Sequence, residues 1–205
     1  VGSLPDRITA LEQQLASAMD DSTKSVLQNR ISYQKNYKDA TDAVIPRAPN
    51  EIFTKKLQYK FGDRLIQILF LGRAHTGGDA VVFLPEEKIL ITGDLLTAGI
   101  SYLGDSYPQE WVKTLDRVKA LDFDMVLPGD GDPFENRERI DFFQAYLTDF
   151  WKQAVEMRKE GVPVFEASTR IDMTSHADHY PQITEAGVFL HGVQRVYDLM
   201  DGTGN

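Results

Sequence analysis

Two polar side chains, an imidazole and a carboxylate, flank a pair of apolar segments in the middle of the chain. His75 precedes the first segment and Asp94 follows the second, and a polar turn that begins with proline separates the segments. Because a hairpin returns the chain to the same edge of a sheet, we expect the two side chains to lie close together. A neutral imidazole and a carboxylate that converge on one point are suitable ligands for zinc or a similar divalent ion.

The two segments are rich in Val, Ile and Leu, which is typical of strands buried on both faces. The pattern predicts strands over residues 80–84 and 89–92, joined by a turn at 85–88. Two earlier segments, residues 57–61 and 65–71, are predicted to form a further hairpin that leads into the His75 loop. The sequence therefore predicts an antiparallel meander of four strands.

A family resemblance rests on the stretch Gly72–Leu96, which contains AHTGGD and LPEEKILITGDLL. This stretch resembles the C-terminal half of the metallo-β-lactamase-fold hydrolases. The resemblance implies that His75 binds one metal ion and that Asp94 bridges two. The family's P-G-H-G motif supplies a further histidine ligand, and the corresponding residues here read VLPGDGD, so Asp130 stands at that position. The implied cofactor is zinc, although a carboxylate at residue 130 shifts the preference toward manganese or iron.

The main departure from the family is a missing ligand motif. The family's H-x-H-x-D-H signature lies well before the hairpin, whereas residues 1–74 contain no histidine. Only His75, Asp94 and Asp130 remain, which are too few ligands for two metal ions. We therefore expect an α/β fold that is half of an αββα sandwich, with a mixed sheet covered by helices. The resemblance implies a parent enzyme that hydrolyses a small-molecule substrate with a metal-bound hydroxide, and a chain that is inactive alone.

Two other functions remain open on the same residues. Half of a sandwich would leave one sheet face exposed, and a non-catalytic module could cover that face with a second copy of itself. The chain could also be one half of a split hydrolase whose histidine-rich half is a separate polypeptide. The expected macromolecular partner is accordingly a second copy or the missing N-terminal half.

Composition narrows the classes of function. The 205 residues carry a formal net charge of −9 and a pI of about 4.9, which argues against a nucleic-acid-binding surface. No apolar run approaches the roughly 20 residues that span a bilayer, so we expect no membrane partner. The chain has no cysteine and therefore neither disulfides nor thiolate metal ligands. It begins at Val1 without a recognisable signal peptide, which suggests a processed or excised chain and fits either the cytosol or export.

Helical periodicity marks both ends of the chain. Ser3 is predicted to cap a first helix, and a second helix is predicted to end near Ala43, so we assign residues 1–45 to a helical connector. Residues 46–205 are assigned to the lactamase-like domain. The remaining predicted elements are a helix from Pro108, a strand over 124–127, and helices over about 133–160, over 163–171 and from 186 or 188 to 200.

Three other polar positions bear on the candidate site. Asp79 is predicted to support the His75 loop by accepting backbone N–H bonds. His176 and His179 form an H-A-D-H sequence that echoes the end of the missing family signature, but it follows the third motif and lies in the wrong chain order. A structural role for these two histidines is therefore favoured over a relocated metal site. His191, alone in a helical context, is interpreted as a surface or packed histidine.

Overall fold

The computed structural model describes residues 3–204, and the chain divides into two compact units, Val1–Ile52 and Phe53–Asn205. The first unit consists of helices α1 (Leu4–Ser17) and α2 (Asp21–Asp42), as the periodicity predicts. Their contact is a small apolar cluster of Leu11, Leu27 and Ile31. The predicted division of the chain between residues 45 and 46 stays a prediction.

The first helix begins where its sequence predicts. The Ser3 hydroxyl accepts a hydrogen bond from the Asp6 backbone N–H at 3.4 Å, and the Asp6 carboxylate accepts one from the Ser3 backbone N–H at 2.9 Å. These reciprocal bonds form a capping box, which satisfies two N–H groups that the helix itself leaves without partners.

The second unit is built on one five-stranded sheet whose strands lie in sequence order. The first four strands are antiparallel, which confirms the predicted meander, and the fifth runs parallel to the fourth. A parallel neighbour needs a long crossover connection, and a helix provides it here. The strands are β1 (Lys56–Phe61), β2 (Arg64–Leu69), β3 (Val81–Leu84), β4 (Ile89–Gly93) and β5 (Met125–Pro128).

Four further α-helices complete the second unit. They are α3 (Pro108–Lys119), which makes the crossover between β4 and β5, α4 (Glu138–Lys159), α5 (Val164–Arg170) and α6 (Leu190–Met200). None of the helices formed by residues 3–204 is both long and apolar enough to cross a membrane.

The prediction that the central hairpin is buried on both faces was wrong. Val81, Phe83 and Leu90 are buried in the main core with residues of α3 and α4, whereas the alternate side chains Val82 and Ile91 are only half-buried. The helices α3 and α4 pack on one face of the sheet, so only every second strand residue enters that core. A run of apolar residues shows that the side chains on both faces of a strand are apolar. It does not show that other elements pack on both faces.

The helix predicted from about residue 133 begins later, at Glu138. The backbone of Phe134 instead pairs with Val126 of β5. Val126 N–H donates to the Phe134 carbonyl with an N···O distance of 2.8 Å, and Phe134 N–H donates to the Val126 carbonyl at 3.0 Å. These bonds hold the backbone at Phe134 in an extended conformation, so the helix begins only after this residue.

Candidate functional site

The three predicted ligands lie on adjacent loops at one edge of the sheet. His75 lies before β3, Asp94 directly after β4, and Asp130 shortly after β5. Because β3 is antiparallel to β4 and β5 is parallel to it, the start of β3 and the ends of β4 and β5 share this edge. The topology therefore places the three loops at the same end of the sheet. The predicted closeness of the His75 and Asp94 side chains stays a prediction.

Trp111 of α3 connects the His75 loop to the Asp94 loop. Its ring packs edge to face against the His75 imidazole, with the ring centroids 5.8 Å apart. Its indole N–H donates a hydrogen bond to the Leu95 carbonyl at 3.1 Å. The tryptophan is fully buried, so both contacts are shielded from water and fix the two loops against the same side chain.

The backbone before His75 is fixed by the same helix. The Thr114 hydroxyl donates to the Arg73 carbonyl at 2.9 Å, and Tyr107 N–H donates to the Ala74 carbonyl at 2.8 Å. A Cβ at Gly72 would lie 2.4 Å from the Thr114 hydroxyl oxygen, and its φ is +134°, so this close approach requires glycine.

The residues after His75 are held by Asp79. Its carboxylate accepts hydrogen bonds from the Thr76 backbone N–H at 2.7 Å and from the Thr76 hydroxyl at 2.9 Å. The Thr76 hydroxyl in turn accepts from Gly78 N–H at 3.2 Å. The predicted support of the loop by Asp79 is confirmed, and the carboxylate is already engaged with its own loop.

The loops after β4 and β5 touch through a glycine. Gly129 N–H donates to the Gly93 carbonyl at 2.9 Å, and a Cβ on Gly129 would lie 2.3 Å from Oδ1 of Asp94. It would also lie 2.6 Å from the Gly93 carbonyl carbon, so a side chain at residue 129 has no room. The absence of a side chain there is what allows the Asp94 carboxylate to lie against the loop that carries Asp130.

The other side of Asp130 is equally tight. Ala98 N–H donates to the Asp130 carbonyl at 2.9 Å, and a Cβ on Gly131 would lie 2.2 Å from the Ala98 methyl group. Gly131 also has a φ of +89°, a region that favours glycine. Asp130 is thus held by its backbone between two close loop contacts, while its side chain is exposed.

The chemistry available at this edge falls short of a complete metal site. His75 is half-buried and Asp94 and Asp130 are exposed. Among residues 3–204, no group of three or more His, Cys, Asp or Glu side chains is arranged to hold a metal ion. Structural and catalytic zinc sites need at least three protein ligands, so these residues alone do not fit the cofactor that the resemblance implies. Their assignment as metal ligands stays a prediction.

The remaining histidines have partners elsewhere in the second unit. The His176 imidazole lies 3.2 Å from the Asp149 carboxylate, and the His179 ring stacks on Phe142 with centroids 3.5 Å apart. His191 is exposed and lies beside Tyr102, at a centroid distance of 6.2 Å. These contacts support the structural interpretation of the H-A-D-H sequence.

The sequence did not predict which contacts hold the loops of the three predicted ligands in place. Helical periodicity places Trp111 in the core but gives no sign of its contacts with two separate loops. The glycines on either side of Asp130 were a usable signal, because two glycines around one polar residue favour a close backbone contact.

Residues 14–130 match the family described as the Metallo-beta-lactamase superfamily, which is more than half of the chain. The chain belongs to this superfamily. The match includes all three predicted ligand positions. The α/β architecture with a mixed sheet agrees with this assignment and with the predicted fold class.

Two curated relatives illustrate the range of the superfamily. The chain is 25% identical to the linear primary-alkylsulfatase of Pseudomonas sp. over 166 residues, which is 73% of this chain and 31% of the relative. It is 36% identical to the metallo-beta-lactamase type 2 of Bacteroides fragilis over 90 residues, 41% of this chain and 36% of the relative. The chain thus spans about a third of the length of each of these relatives.

Among solved structures, the sec-alkylsulfatase Pisa1 from Pseudomonas sp. is similar with a TM-score of 0.57 and 13% identity. The similarity covers 74% of this chain and 26% of the sulfatase. At this level of identity, the similarity concerns the fold alone.

Proposed function

We propose that these residues supply one part of a metal-dependent hydrolase of the metallo-beta-lactamase superfamily, and that this part is inactive alone. The observation that carries the proposal is the contact of Gly129 with the Asp94 carboxylate, which joins the loops of two predicted ligands. Trp111 joins the third loop to them. The edge presents one imidazole and two carboxylates, a suitable but incomplete donor set.

The missing donors are proposed to come from outside these residues, since residues 1–74 contain no histidine. They could belong to the same longer polypeptide or to a separate histidine-rich chain, as in a split hydrolase. The chain's own contribution is to fix His75 through Trp111 and Asp79, and Asp94 through Gly129. The names of the relatives make an alkyl sulfate and a β-lactam the first substrates to test.

Equilibrium dialysis of the chain against Zn²⁺, Mn²⁺ and Fe²⁺ tests the proposal, together with hydrolysis assays on decyl sulfate and a β-lactam. We expect less than one equivalent of tightly bound metal and no turnover. His75→Ala should lower any residual metal binding, whereas the matched variant His191→Ala, at an exposed position, should not. Stoichiometric tight metal with turnover would refute inactivity of the isolated chain, and equal effects of the two variants would remove His75 from the site.

A second candidate function, self-association, is favoured by the sheet face that lies opposite the main core of the second unit. Nine apolar side chains on this face are half-buried and Phe61 is exposed, and none of them packs against the main core of the second unit. Strand spacing of about 4.8 Å and a rise of about 3.3 Å per residue give this face a projected area of roughly 400 Å². Apolar patches of that size often mark interaction sites. The nine half-buried side chains are Leu57, Ile66, Ile68, Val82, Leu84, Ile89, Ile91, Met125 and Leu127.

Under this proposal, two copies pack sheet on sheet and cover one another's apolar face. Sedimentation equilibrium should then show a dimer, and Val82→Asp should dissociate it by placing a charge at the centre of the interface. Phe165→Asp is the matched control, because Phe165 is 71% exposed and lies outside the sheet. A chain that remains monomeric at about 100 μM, well above the dissociation constants of specific dimers, argues against self-association.

A further inference from the structure

A large cavity lies in the second unit beside the C-terminal helices. Its volume is about 690 Å³, which is within the range of small-molecule sites. It is bounded by Ile100, by residues of α4 and α5, by Met173 and by the segment of residues 182–189. None of the three predicted metal ligands lines it, although Ile100 belongs to the loop that begins with Asp94.

The wall made by residues 182–189 is held in place by backbone hydrogen bonds. Gly187 N–H donates to the Ile171 carbonyl and Val188 N–H donates to the Ser168 carbonyl, both at 2.8 Å. At the other end of the segment, Ile183 N–H donates to the Tyr180 carbonyl at 2.9 Å. The cavity is therefore formed before any ligand enters, which lowers the ordering cost of binding.

One lining side chain has an unused hydrogen-bonding group. Tyr146 is only 4% exposed, and its ring is packed by Phe150, His176 and Tyr180 at centroid distances of 6.5, 5.6 and 5.6 Å. Its hydroxyl has no hydrogen-bond partner among the described residues, although Tyr146 lines the cavity. The hydroxyl is not among the fully buried polar atoms of the described residues, so it can be reached from the cavity. A ligand oxygen in the cavity can therefore accept a hydrogen bond from it.

The charge of the lining limits the ligand. Glu185 is its single charged residue, and no Lys or Arg is present among the lining side chains. An anionic ligand would face a carboxylate without a compensating cation. The remaining surface is supplied largely by apolar side chains such as Ile183, Val188 and Met173, which favour an apolar ligand. A neutral molecule with an apolar body fits both features.

We propose that this cavity binds an uncharged, apolar small molecule whose carbonyl oxygen accepts a hydrogen bond from the Tyr146 hydroxyl. A medium-chain ketone or ester has this chemistry. The apolar chain lies against Ile183, Val188 and Met173, and its oxygen is directed to the phenol at the buried end. Burial raises the pKa of Tyr146 to about 12, so the phenol is a hydrogen-bond donor throughout the neutral range.

The test uses the neutral fluorescent probe N-phenyl-1-naphthylamine, whose aryl amine is a poor hydrogen-bond acceptor, and its displacement by 2-undecanone or by decanoate. We expect the ketone to displace the probe at least about ten-fold more effectively than the anion. Tyr146→Phe should weaken ketone binding about five-fold, the size of one net hydrogen bond, while leaving probe binding unchanged. Ala186→Trp, at an exposed lining position, should obstruct part of the cavity and weaken probe binding.

Two controls separate this cavity from other apolar surface. Tyr102→Phe removes a hydroxyl from a tyrosine that does not line the cavity, and should leave ketone binding unchanged. Val82→Asp alters the sheet face opposite the main core and should leave displacement intact. The proposal is overturned if ketone and decanoate are equally effective, if Tyr146→Phe leaves ketone binding unchanged, or if probe binding is as strong in Ala186→Trp as in the unaltered chain. Thermal unfolding of each variant establishes that it is folded.

Discussion

Replacing Gly129 with alanine tests whether the loops of Asp94 and Asp130 touch as described. The added Cβ would lie 2.3 Å from Oδ1 of Asp94, 2.6 Å from the Gly93 carbonyl carbon and 2.8 Å from the Asp94 backbone nitrogen. The exposed Asp94 side chain can rotate away, but the two backbone atoms cannot move without separating the loops. That separation would break the hydrogen bonds from Gly129 to Gly93 and from Ala98 to Asp130.

The expected cost follows from these contacts. Overpacking costs about 1–3 kcal/mol, and each lost backbone hydrogen bond about 1 kcal/mol. The lower entropy of the unfolded alanine chain offsets about 0.4–1 kcal/mol. We therefore expect Gly129→Ala to lower the free energy of unfolding by about 3 kcal/mol. Gly78→Ala is the matched control, because its Cβ would meet no atom within 4 Å and its φ is not positive; it should be neutral or slightly stabilising.

Urea unfolding followed by tryptophan fluorescence measures the difference, because both tryptophans, at 111 and 151, report on the second unit. With a slope of about 2 kcal/mol per molar urea, the midpoint of Gly129→Ala should fall by about 1.5 M. Asp94→Ala combined with Gly129→Ala should recover less than half of the loss, since only the side-chain contact is relieved. Equal midpoints for Gly129→Ala and Gly78→Ala would refute the described approach of the loops.

Three further changes test other parts of the structure. Trp111→Phe leaves the Leu95 carbonyl without its buried donor and should cost about 2–3 kcal/mol in urea unfolding; an unchanged midpoint would mean that the bond is absent. Asp79→Ala removes two hydrogen bonds to Thr76 and should cost about 1–2 kcal/mol, with faster amide exchange at residue 76 as the specific sign. Burial raises the pKa of Tyr146 from 10.0 to about 12, so between these values the unfolded chain releases a proton that the folded chain keeps. Stability should thus fall by about 2 kcal/mol from pH 10 to 12, and Tyr146→Phe should remove this part of the fall in alkaline unfolding curves.

Local features of the chain were predictable from the sequence. The helix cap at Ser3, the antiparallel order of the first four strands and the support of the His75 loop by Asp79 all depend on residues near one another. The positions of Asp94 and Asp130 after their strands were also predictable. Turn chemistry, alternation and short-range hydrogen bonds are encoded within a few residues, so a single sequence records them.

Contacts between distant segments were decided by the tertiary structure. Apolar alternation could not tell which sheet face the helices cover, because both faces of β3 and β4 carry similar side chains. Two contacts join segments that are separated along the chain: the hydrogen bond from Trp111 to Leu95 and the contact of Gly129 with Asp94. The unpartnered hydroxyl belongs to Tyr146, which lines a cavity formed by several separate segments. Such proximity depends on how whole elements pack, and packing is a property of the assembled layers and not of any one segment.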